Sequence, residues 1–161
     1  YTDANKGFYA PIHGNDYSSP QPPYAEWWEL LLPYGMKREY MQCRSDPKSE
    51  DLSIQSYLVN GMVSFTKKQS QVSTPSQKII VSERADEGSV LTHQGYPAWK
   101  ELSVWNGHIK HDRHTNVSNY LFADAHVESL EFTSTVGEAG GNDHRNDTNK
   151  HYIKSFDPPA P

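Results

Sequence analysis

One cysteine, Cys43, stands among 161 residues, so no disulfide can close within the chain. In an exported protein an odd cysteine points to a partner outside these residues or to a free thiol. Its only positive neighbour in sequence is Arg44, too little to mark it as an activated nucleophile. Long apolar runs are missing as well, so no stretch reads as a bilayer-spanning helix. Basic residues are outnumbered, 15 Lys and Arg against 20 Asp and Glu, for a net charge of −5. The basic stripe expected of a nucleic-acid binder is absent, its nearest approach being Lys67–Lys68. Neither a G-x-S-x-G elbow nor a phosphate-cradling glycine loop occurs. The chain opens on Tyr1 with no initiator Met and no signal sequence, which suggests a fragment or a processed product.

Aromatic residues supply what aliphatic ones do not. Four Trp, ten Tyr and five Phe bury large areas each and argue against overall disorder. The length suits one domain, divided here into an entry loop (1–23), a core (24–133) and a loop, possible last strand and tail (134–161). After the Pro-rich start, Trp27, Leu30, Leu31 and Tyr34 mark one helical face, with Pro22 and Pro23 before it. The helix is expected to end near Leu32, before Pro33, and to leave Trp28 off the buried face. Leu52, Ile54 and Leu58 alternate as in a strand, and Asn60-Gly61 is the preferred pair for a tight hairpin. "KIIVSERA" (78–85) reads as a buried strand, "SNYLFADAHVESLEF" (118–132) as strand, turn, strand, and "HYIKSF" (151–156) as a possible last strand. The sum is an α+β domain: an antiparallel sheet with a short helix.

Polar residues cluster in "HDRHTNVSNYLFADAHVESL" (111–130). His114 and Asp124 would suit an acid–base pair or metal ligands, but an extended run of eight residues between them spans about 26 Å. They meet only if the chain folds back sharply near 115–118. The bland reading makes Asp124-Ala125 a type I′ hairpin turn in which Asp124 binds backbone N–H groups. Ala125 is then strained, because a left-handed alanine costs about 1 kcal/mol or more. His108, His111 and His114 recur every third residue, and a metal-dependent hydrolase would need at least three of His108, His111, His114, Asp124 and His126 to converge. Without an apolar face that segment reads as a solvated loop. Asp3-x-Asn5-x-Gly7 resembles the start of a calcium loop but fits a plain turn better. Asp143, Asn146 and Asp147 are weak calcium candidates; otherwise no cofactor is expected. Trp27, Trp28, Trp99 and Trp105 could stack on sugar, although core packing is the commoner use.

"RHTNVSNYLFADAHVESL" resembles the C-terminal signature of a bacterial pilin-like family whose members carry a prepilin-type processing signal and an H-X9-DG motif. His114 is followed by nine residues and then Asp124-Ala125, with Ala replacing Gly. The likeness runs through Arg113, His114, Asn119, Leu121, Phe122, Ala123, Asp124, His126 and Val127, and Ala125 is where it departs. "YTDANKGFYAP", "WWELLLPY", "MQCRSDP" (Arg44 in place of the usual Pro), "SYLVN" and "KIIVSE" resemble other segments of that family in the same order, over roughly residues 1–132. The resemblance implies a pilin-like fold whose long N-terminal helix is missing or truncated here. It implies a structural, non-enzymatic subunit of a type IV pilus-like or type II secretion filament, periplasmic or at the cell surface. Its partners would be other pilin or pseudopilin subunits, a prepilin peptidase, and the inner membrane through the helix. In this family Cys43 would pair with a cysteine of that helix. A cell-surface binding module using exposed aromatics is the alternative.

Overall fold

In the computed structural model, residues 1–11, 26–51, 54–64, 68–86, 95–96, 107–138 and 144–153 are described. Leu52, Trp99, Trp105, Asp143 and the end of the possible last strand lie outside them. Four antiparallel strands form the sheet: β1 (Tyr57–Asn60), β2 (Ile79–Glu83), β4 (Ser118–Phe122) and β5 (Val127–Leu130). A two-residue strand, β3 (Gly95–Tyr96), adds in parallel at the β1 edge, giving the order β3-β1-β2-β4-β5. Short helical turns surround the sheet, and the class is α+β.

The pairs Leu58↔Ser82 and Ser82↔Tyr120 put three residues in one row facing the core, all inaccessible to water. Ile79, Phe122, Ile109, Phe132 and Val136 pack on that side. Each such fully buried large apolar side chain contributes about 1.5–3 kcal/mol. The opposite side carries the next rows: Tyr57↔Glu83, and Val59↔Val81 with Val81↔Leu121. A bulge at Ile80 lets this parity shift within β2.

Several local expectations change. Asn60-Gly61 makes no hairpin. Asn60 is fully buried, and its Oδ1 accepts the Met62 N–H at 3.0 Å while its Nδ2 donates to Ile79 O and His151 O. It thereby starts the single helical turn α1 (Gly61–Ser64), and β1 pairs with the later β2. The predicted helix near Trp27 is a 3₁₀ turn, Glu29–Tyr34, that contains Pro33 instead of stopping before it. In an α-helix the Pro33 ring would strike the carbonyl of residue 29, and the tighter turn avoids this clash. It closes at Gly35, φ 91°, with Met36 N–H on Leu31 O, the backbone pattern of a left-handed helix cap. Trp28, expected off the buried face, is 4% exposed and lies under the Arg38 guanidinium.

The core continues past residue 133. The turn α2 (Thr133–Val136) buries Thr135 and Val136, and the returning chain buries Asn149, His151, Tyr152 and Ile153. Residues 151–153 join no strand of the sheet; Ile79 N–H binds Lys150 O, and Lys150 N–H binds Thr135 O.

Candidate functional site

Two features meet on one side of the sheet. The first is an apolar groove of about 550 Å³. Its floor is Tyr57, Val81 and Leu121, and the segment 27–41 forms its wall through Trp27 and Leu31. Val127 is 64% exposed and Tyr40 on the opposite rim 55%, so the groove is open. Tyr1 rests edge-on against Tyr34 at a centroid distance of 5.6 Å, and Tyr34 ends the 3₁₀ turn that carries Leu31 into the wall.

The second feature is polar and sits where Tyr57 and Asn119 end the groove. Glu83, at the close of β2, is fully buried. One of its oxygens accepts the Asn119 N–H at 3.0 Å, and the other lies 2.8 Å from His114 Nε2. The same His114 nitrogen is 3.6 Å from Cys43 Sγ. Cys43 is 7% exposed, is not in a disulfide, and receives its own backbone support from Ser56 Oγ. Tyr57 hydrogen-bonds Cys43; burial pushes its hydroxyl pKa up, and Cys43 and Glu83 beside it push it further.

His114 reaches Glu83 because the chain does fold back between 114 and 117. Thr115 and Asn116 both have positive φ, 57° and 68°, and His114 N–H binds Val117 O. That is the pattern of a type I′ turn, one strand earlier than expected. The Asp124-Ala125 turn is of another kind. Only Ala125 has positive φ there (75°), its N–H binds Phe122 O, and Phe122 N–H binds His126 O. This is a three-residue loop closed by one left-handed residue. Asp124 accepts the His126 N–H and faces His126 Nδ1 at 2.5 Å, an interaction that lowers the Asp124 pKa. The His126 ring stacks on Phe122.

Beside His114 lies a buried charge network of which the sequence had singled out Arg113 alone. Arg84 is fully buried, with Nη2 2.9 Å from Asp46 and Nε on Gln55 O. Burial pulls its pKa down, and Asp46 opposes the shift. Arg113 reaches Asp86 at 2.7 Å and Asp46 at 3.5 Å. Asp86 also pairs with Lys110; burial alone would raise its pKa, but the hydrogen bonds from Lys110 and Arg113 win and lower it. The network clamps the segment 107–114 against the end of β2, where Ala85 N–H also binds His108 O and Lys110 N–H binds Glu83 O.

The remaining candidates separate. His111, expected in a solvated loop, stacks on Phe132 at 3.8 Å, and burial lowers its pKa. His114, His111 and the Asp124–His126 pair therefore occupy three different places, and the histidine-rich hydrolase centre does not assemble. Asn146 gives its side-chain oxygen to Thr148, and Lys78 Nζ approaches the Asp147 carbonyl, while Asp143, the third calcium candidate, lies outside the described residues. The turn at 2–7 is closed by Gly7 N–H on Thr2 O and Asn5 Nδ2 on Tyr1 O, and it is tied to the rest of the chain by Asn5 Nδ2 on the Tyr34 hydroxyl and Gln69 N–H on Gly7 O. Trp27 and Trp28 are buried, which removes them from any sugar platform.

Cys43, His114 and Glu83 also fail as a catalytic triad. Such a triad needs the acid on one imidazole nitrogen and the nucleophile on the other. Here both approach Nε2. No protein family matches this chain, and neither does any curated protein or solved structure.

Proposed function

We propose that this chain is the globular part of a pilin-like or type II secretion pseudopilin-like subunit, a structural protein of an extracytoplasmic filament. The observation that carries the reading is the open apolar groove across the sheet, about 550 Å³ and rimmed by exposed Val127 and Tyr40. A helix with an apolar stripe would fill such a groove and remove those side chains from water. Tyr1 sits beside the groove wall, so a helix running into Tyr1 needs no long connection to reach it. The family resemblance around His114 and Asp124 supplies the same helix independently. In this reading the domain stands outside the inner membrane, and the helix anchors it before assembly. A prepilin peptidase matures the precursor, and contacts to other subunits are the function. The net charge of −5 does not favour nucleic acid as a partner.

The coding sequence upstream of Tyr1 tests the proposal. A short basic leader followed by a long apolar helix supports it; an ordinary or lipoprotein signal sequence overturns it. In the protein carrying that helix, Leu121→Lys should make the segment before Tyr1 more sensitive to protease and leave the near-UV signal of the domain intact. The binding-module alternative draws on exposed Tyr34 and Tyr40. Tyr34 meets Tyr1 at 73°, edge to face, which is a poor platform for stacking a sugar ring.

A further inference from the structure

We infer that Cys43, Glu83 and His114 form a binding site for one divalent cation of the zinc class, at the polar end of the groove. The three come from separate elements: the loop after Met41, the end of β2 and the 114–117 turn. Their ligand atoms all lie within 4.8 Å of one another, the one such group among the described residues. Tetrahedral zinc with sulfur and imidazole ligands has an S···N edge of about 3.6 Å. Cys43 Sγ and His114 Nε2 are 3.6 Å apart. The Glu83 Oε1 to Nε2 separation of 2.8 Å must open to about 3.4 Å. His114, 30% exposed on a two-residue turn, can yield that much.

Hydrogen bonding leaves this cluster underused. A neutral imidazole can place only one proton on Nε2, yet a carboxylate and a sulfur both face that atom. A cation among the three would engage all of them. The outer contacts already have the form that orients metal ligands. Glu83 Oε2 is held by the Asn119 N–H, which aims Oε1 at His114, and the Tyr57 hydroxyl is bonded to Cys43. Charge also agrees. A thiolate and a carboxylate balance a divalent ion, while the two nearby guanidinium groups are paired with Asp46 and Asp86. One sulfur, one nitrogen and one oxygen select zinc, cobalt or copper over calcium or magnesium, which want oxygen alone. Three protein ligands leave the fourth position to water. The ion would pin the 114–117 turn to β2. A disulfide at Cys43 and this site exclude each other, so the ion requires the reduced thiol. The site does not depend on the filament reading.

The test is a cobalt titration of the full chain, reduced, treated with chelator, and checked for one free thiol. The expected result is saturation at one Co²⁺ per chain, with visible bands of tetrahedral cobalt and a near-ultraviolet sulfur-to-cobalt band that Zn²⁺ abolishes. Cys43 is the only cysteine, so that band reports this site without any variant. Cys43→Ser should lose the band, whereas His126→Gln, at the far hairpin, should keep it. Absence of saturable binding overturns the proposal. So does binding without the sulfur band, since it places the ion elsewhere.

Discussion

Acidification from about pH 6.5 to about pH 4.5 should cost the fold about 2 kcal/mol through His151 alone. His151 is wholly buried, with Nε2 on Thr135 Oγ1 at 2.9 Å and its ring edge-on to Tyr120. Burial above all, with repulsion from Lys78, His111 and Lys150, moves its pKa from 6.5 to about 3. The unfolded chain takes up this proton near the ordinary value, whereas the folded chain refuses it until about pH 3. Between those values the unfolded state holds the extra proton. Stability therefore falls as pH falls, by about 1.4 kcal/mol per unit, and this contribution is flat above about 6.5. Urea unfolding of the wild type and His151→Gln across this range isolates the term. The variant should be less stable at neutral pH but should lose less on acidification, the two curves converging. Parallel curves would refute the assignment of a buried neutral imidazole.

Two further outcomes follow from the loops and the charge network. Ala125→Gly should raise the unfolding free energy by about 0.5–1 kcal/mol, read as a higher melting temperature, because the left-handed strain at φ 75° disappears. Arg84→Met should destabilise by about 3–5 kcal/mol in chemical denaturation, since Asp46 is left 2% exposed and short of its nearer guanidinium. Adding Asp46→Leu should recover much of that loss.

The β4–β5 hairpin was legible because alternation and turn chemistry agree over a short span. Tyr120 and Phe122 face in, and Leu121 faces the groove, as period two requires. Asn60-Gly61 misled because the same side chain that favours a tight turn also caps a helix, and the buried acceptors on Ile79 and His151 come from distant chain. Trp28 misled because a 3₁₀ turn brings every third residue to one face, not the pattern read from an α-helix. The polar end of the groove was hidden for a plainer reason. His114 stands 71 residues from Cys43 and 31 from Glu83, so no local pattern joins them. Glu83 itself lies in the strand read as buried, but nothing in its local sequence singled it out, although it is fully buried.

The bulge at Ile80 has a consequence for insertion and deletion. On β2 it is the residue skipped between two paired ones: Ile79 lies opposite Phe122 and Val81 opposite Leu121. Loss of that residue would exchange odd and even positions along the rest of the strand. The Glu83 carboxylate would then point into the aromatic layer of Tyr120 and Phe132, and the hydroxyl of Ser82 would look out on the groove. The sidedness of the whole polar end thus hangs on a single count in the chain, which no substitution of the side chains themselves would alter.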